Sequence, residues 1–208
     1  MARKKTFLPL HIMWQPGITA EMMSGVFSGV AFVLSLAGVF KGFKIEALGQ
    51  RRERYWLIKG GQLCQYKSLD WHIWWARCNS KKPWHLNSVA LLDSLRDNPT
   101  YQTKPRYELV AVNEALHWDD ASLRTVGGIG RQGNGAIINL GFYPIPIPGE
   151  SNKSIKERQF DYLVAAQMLT MYELGHVFGL CPGTGIINPT DDDLKAAHCQ
   201  NDCVMSWQ

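Results

Sequence analysis

The chain predicts an α+β domain, a mixed sheet backed by helices, on three observations. It opens strand, helix, strand: an extended run at residues 6–14, a turn at Gln15-Pro16-Gly17, a long uncharged helix, and a second extended run at 43–48. Further extended runs stand at 107–113 and 136–142, the latter fed by a glycine-rich loop. Residues 154–178 then form a long, apolar helix.

A chain of 208 residues with 46% hydrophobic content can bury one good core, so a single domain over 1–208 is expected. Within it, 1–180 carry the sheet, the backing helix and the long helix, and 181–208 form a C-terminal part. The formal charge of +4 comes largely from Arg3-Lys4-Lys5, Arg51-Arg52-Glu53-Arg54 and Lys81-Lys82, short clusters that suit solvated loops and argue against a nucleic-acid partner. Five cysteines (Cys64, Cys78, Cys181, Cys199, Cys203) match no repeated C-x-x-C spacing, so a reducing compartment is the simpler reading. Cys199 and Cys203 are close enough to bridge in an exported protein. The first apolar run is broken by Pro9 and His11 and lacks a small-residue cleavage site, so no signal peptide is read and a cytoplasmic location is expected.

The elements follow in order. Thr19 caps the first helix, and residues 22–40 carry no charge, which is long enough for a membrane span. The pattern favours a core helix instead: Met23, Val26, Phe27, Val30, Val33, Leu34 and Ala37 share one face, with Ser24, Ser28, Ala31, Ser35 and Gly38 on the other. Residues 55–58, ending at Gly60-Gly61, read as a strand. The stretch 64–85 holds Trp71, Trp74, Trp75 and Trp84 among Lys67, Arg77, Lys81 and Lys82, and is expected to pack as a Trp-rich insertion. His72 and His85 lie there without ligand spacing and read as structural. Residues 87–97 have helical periodicity.

The run Gly128-Ile129-Gly130-Arg131-Gln132-Gly133 matches G-x-G-x-x-G, but it leads into a strand-like run where a dinucleotide site needs a helix N terminus. It is read as a glycine loop feeding an edge strand. Pro144, Pro146 and Pro148 form a stiff connector. Ser154 and Glu157 make a capping box for the long helix, and Gly179 closes it. Thr190 caps a short helix started by Asp191, Asp192 and Asp193, whose charges suit the first helical turn.

The chemistry sits at Met171-Tyr172-Glu173-Leu174-Gly175-His176-Val177-Phe178-Gly179. In H-E-x-x-H two imidazoles one turn apart share a zinc ion, and the glutamate takes a proton from the metal's water. Here Tyr172 occupies the first histidine's place, while Glu173, His176 and Gly179 keep theirs. Farther on, His198-Cys199 is followed by Cys203 and Met205. In these residues the chain resembles the metzincin metallopeptidases, and among them the archaemetzincins.

The resemblance implies His176 and His198 as zinc ligands with Tyr172 in the third position, Glu173 as general base and Met205 as the residue of a turn beneath the metal. It also implies a peptide or protein substrate paired with an edge strand formed by Gly135, Ala136, Ile137, Ile138 and Asn139. The chain departs from the family at Tyr172, at Pro182, where a third metzincin ligand would fall, and in the insertion that precedes His198. A phenol binds zinc only as phenolate, so reduced or lost zinc affinity is expected unless Cys181 or an aspartate of 191–193 joins the site. Three readings stand: a zinc-dependent endopeptidase with an altered ligand set, a silent relative that binds peptides or a partner protein, and an engineered inactive form of an original histidine.

Overall fold

The computed structural model describes residues 7–39, 42–49, 56–59, 62–65, 68–97, 104–118, 125–141 and 155–180. Strand β1 (Leu10–Trp14) turns at Gly17 into α1 (Ala20–Leu36), where the Thr19 hydroxyl accepts a hydrogen bond from the Met22 N–H at 3.3 Å. β2 (Ile45–Gly49) returns parallel to β1, completing the expected strand-helix-strand start. A short hairpin follows, β3 (Trp56–Lys59) with β4 (Gln62–Gln65). Next come α2 (Leu69–Cys78), β5 (His85–Asn87) and α3 (Ser88–Arg96), whose caps Ser68 and Asn87 each accept from a first-turn N–H. β6 (Tyr107–Val112), β7 (Ala115–His117), β8 (Thr125–Val126), β9 (Gly128–Arg131) and β10 (Gly135–Asn139) precede the long helix α4 (Ile155–Val177).

The main sheet runs β2-β1-β6-β10-β9, with every pairing parallel except the antiparallel hairpin β9-β10. A second, three-stranded sheet joins β5, β7 and β8. The mixed sheet backed by helices is therefore as expected, in three layers. Because side chains alternate across a strand, Leu10, Ile12, Leu109, Ala111, Ala136 and Ile138 point to α1 and α4. Met13, Val110, Val112 and Ile137 point the other way, into a core with α2 and α3. Burial on both faces is why β6 and β10 read as near-continuous apolar runs.

Helix α1 packs along α4 as a core helix, burying Met23, Val26, Val30, Val33 and Leu34 and exposing Ser24, Ser28 and Ser35. It ends sooner than the uncharged run does, at Leu36, with Gly38 in the left-handed region at φ 67°. No described helix is long and apolar enough to cross a membrane. What lets α1 approach α4 is glycine: a Cβ on Gly29 would stand 2.7 Å from the Gln167 carbonyl oxygen, and one on Gly25 would run into that of Leu163.

Two expectations change. β10 is an interior strand, paired on one side with β6 and on the other with β9, so Gly135, Ala136, Ile137, Ile138 and Asn139 have no open edge for a substrate. The sheet edge belongs to β9, because the glycine run folds back as a hairpin partner of β10. The Trp-rich stretch forms α2, whose Leu69, Ile73 and Ala76 are buried, yet its indoles face outward: Trp74, Trp75 and Trp84 are exposed. α4 is enclosed only over its C-terminal half, since Phe160, Val164 and Met168 stand in solvent.

Candidate active-site turn

The last turns of α4 form the candidate site. Leu174 and Val177 anchor this segment in the core shared with α1, which turns Glu173 and His176 toward the β9-β10 hairpin. The hairpin's turn is tied to the helix end, where Gly133 N–H donates to the Val177 carbonyl at 3.0 Å. Gly179 adopts φ 71°, the left-handed conformation its place after the helix called for, and its N–H donates to the His176 carbonyl at 3.1 Å.

Tyr172, Glu173 and His176 share one turn. The Tyr172 and His176 rings meet edge to face, with centroids 5.0 Å apart. Tyr172 is half-buried, whereas Glu173 and His176 are buried. The neighbour that buries them is β9, and it does so through two glycines on one strand face. A Cβ on Gly128 would lie 2.7 Å from Glu173 Oε1; one on Gly130 would lie 3.0 Å from the His176 Cβ and would collide with the Glu173 carbonyl oxygen. The bare backbone of β9 thus lies directly on the motif.

The electrostatics follow from that contact. Burial pushes the Glu173 carboxyl up to about 8, partly offset by a hydrogen bond from the Gly130 main-chain N–H, which favours the ionised form. A carboxyl in this range changes protonation near neutral pH, as a general base or acid requires.

Among the described residues, no three His, Cys, Asp or Glu side chains gather where they could hold a metal ion. Tyr172, Glu173 and His176 are brought together by α4. His198, Met205, Cys181, Cys199, Cys203, Asp191, Asp192 and Asp193 lie outside the described residues, as do the Pro144 to Pro148 connector and Ser154. Elsewhere, His72 Nδ1 is 3.0 Å from Ser94 Oγ and His85 Nδ1 is 2.8 Å from the Pro83 carbonyl oxygen. His117, at Ser80 Oγ, is buried beneath the same layer.

Gly128 and Gly130 are the site residues that reading the sequence missed, having been taken only for loop glycines. The available signal was their spacing: two glycines at i and i+2 clear one face of a strand for close approach.

The fold has a solved counterpart. The structure is similar to the crystal structure of archaemetzincin from Methanopyrus kandleri, at a TM-score of 0.58 and 21% identity, covering 100% of this chain and 85% of that one. No protein-family model matches the chain, and no curated protein matches it in sequence. The likeness establishes an archaemetzincin-like fold.

Proposed function

We propose that this protein is a zinc-dependent metallopeptidase of archaemetzincin type, acting on peptide or protein substrates. Its assigned parts are Glu173 as general base and His176, His198 and Tyr172 as metal donors. The observation that carries the reading is the joint placement of Glu173 and His176 on one buried turn, in an archaemetzincin-like fold.

The imidazole of His176 and the phenol oxygen of Tyr172 are donor types that zinc accepts, but a catalytic zinc takes three protein ligands. Two described donors do not complete such a site. The chain's own part is clearer. The Gly130 N–H orients the Glu173 carboxyl, and the low-dielectric seat on β9 raises its affinity for a proton from a bound nucleophile. β9, at the sheet edge, is the strand to which an extended peptide would add through main-chain hydrogen bonds.

A second reading is favoured by the enclosure of the base: Glu173 is only 4% exposed, which suits a silent relative that keeps the fold and binds a peptide or partner protein. The deciding experiment is metal analysis of the purified full-length chain alongside hydrolysis of an unstructured protein, for the parent, Glu173→Ala and Tyr172→His. Bound zinc with hydrolysis lost in Glu173→Ala supports the peptidase. Only trace zinc at every pH, with no hydrolysis by the parent, refutes it for this chain. If Tyr172→His then acquires zinc and hydrolysis together, the tyrosine is an inactivating replacement.

A further inference from the structure

The N-terminal half of α4 carries an apolar ridge that the assignment of Tyr172, Glu173 and His176 leaves unused. Phe160, Val164 and Met168 stand one turn apart, at 67%, 38% and 44% exposure, and the next step along the same ridge is Tyr172. From Tyr162 to Tyr172 the helix has no charged side chain. An uncharged, apolar strip of helix surface thus leads through solvent to the residue beside Glu173.

Three consecutive residues fix where the ridge points, since each step along a helix turns about 100°. Thr170 meets α1, where a Cβ on Gly29 would stand 2.9 Å from its own Cβ. Leu169 meets the start of β9, its Cδ1 3.6 Å from a Cβ on Gly127. Met168, one step farther round, meets solvent. α1 flanks α4 on the side of the inner strands, where Phe27 meets Trp14 of β1 with ring centroids 6.3 Å apart. The ridge therefore lies on the opposite flank, beyond β9, whose only strand partner among the described residues is β10. β9 runs in the same direction as α4, with Gly127 at Leu169, Gly128 at Glu173 and Gly130 at His176. Upstream of Gly127 the chain leaves α4, because β8 pairs with β7 in the second sheet.

We propose that this ridge is a substrate-selecting surface, taking an extended apolar segment on the C-terminal side of the bond to be cut. The inference rests on the reading of the α4 turn as a peptide-cleaving site. A peptide added to the free edge of β9 does not follow the chain into β8; continued straight, it passes from the Glu173 turn along the ridge. Antiparallel pairing, the more stable kind per residue, directs its C-terminal half toward Phe160. The rise from Tyr172 to Phe160 is about 18 Å, which an extended chain spans with about five or six residues, alternate ones facing α4. Met168 suits a selecting surface, because its thioether side chain adapts to partners of different shape. A second copy of the chain is the competing occupant. A stable interface buries roughly 800 Å² per partner, more than three partly exposed side chains supply.

The test measures fluorescence anisotropy of labelled synthetic peptides of about twelve residues on the full-length Glu173→Gln chain, so that binding is read without cleavage. Two peptides share a polar N-terminal half; the C-terminal half alternates leucine with threonine in one and serine with threonine in the other. The leucine peptide is expected to bind about tenfold more tightly. A third peptide, with the halves of the leucine peptide exchanged, should bind no better than the serine peptide. Adding Phe160→Gln, Val164→Gln and Met168→Gln together should abolish the preference while keeping the circular dichroism and melting curve of the background. Equal binding of the leucine and serine peptides overturns the proposal and leaves the assignment of the α4 turn standing. So does a preference that survives in the folded triple variant. A large fall in the triple variant's melting temperature, or a dimer that it dissociates in sedimentation, overturns the proposal too, because the ridge is then covered by the chain itself or by a second copy. A leucine preference that holds while the parent shows neither zinc nor hydrolysis supports the ridge and refutes the peptidase.

Discussion

Replacing Glu173 by glutamine keeps the side chain's shape and an oxygen to accept the Gly130 N–H, but removes the ability to ionise. In the folded chain the carboxyl holds its proton up to about 8, while its ordinary value is 4.5. Below pH 4.5 both folded and unfolded chains carry the proton, and the stability tied to it is fully present. As pH rises toward about 8, the unfolded chain releases the proton and the folded chain keeps it, so the folded state loses about 1.4 kcal/mol per pH unit. The loss amounts to about 3 kcal/mol at pH 7 and about 5 kcal/mol above pH 8. Glu173→Gln escapes it. Urea denaturation followed by circular dichroism, with a chelator present, should show the variant gaining on the parent by about 3 kcal/mol between pH 4.5 and 7. Comparing the two pH values cancels any constant offset from the amide. A difference that does not change with pH over this range would refute the buried, proton-holding carboxyl.

Gly29→Ala is expected to destabilise by about 1–3 kcal/mol in chemical denaturation, because the new methyl meets α4 main chain; at an uncrowded helix site the same change would stabilise by about 1 kcal/mol. Gly130→Ala should cost a similar amount or more and should also weaken any metal binding, since β9 must lift off the turn bearing Glu173 and His176. Gly133→Ala, whose Cβ would meet open space, isolates the backbone contribution: strain from its φ of 71° should cost about 1 kcal/mol without altering the site. Arg106→Met removes the cation held 2.6 Å from Glu108 in a pair only 3% exposed, and should lower stability by about 3–5 kcal/mol in chemical denaturation.

Several features were legible in the chain because they depend on neighbours a few residues apart. Thr19 announces a helix start, since a side-chain oxygen two or three residues upstream is all the first N–H groups need. Gly179 announces a helix end for a similar local reason. That the glycine run leads into a strand and not a helix was legible as well, and that strand is β10 of the β9-β10 hairpin. The turn joining Tyr172, Glu173 and His176 follows from helical spacing alone.

What lay beyond that range was decided by packing. Alternation tells which face of β10 each residue takes but not which strand lies beside it, so the sequence placed an edge where the tertiary structure has an interior strand. Only the folded chain shows Gly25 and Gly29 bringing α1 onto α4, or the indoles of α2 turned to solvent. The chain by itself determined that Glu173 is carried by a helix beside an imidazole. That its carboxyl holds a proton near neutral pH comes from β9, some forty residues earlier, whose side-chain-free backbone excludes water from it.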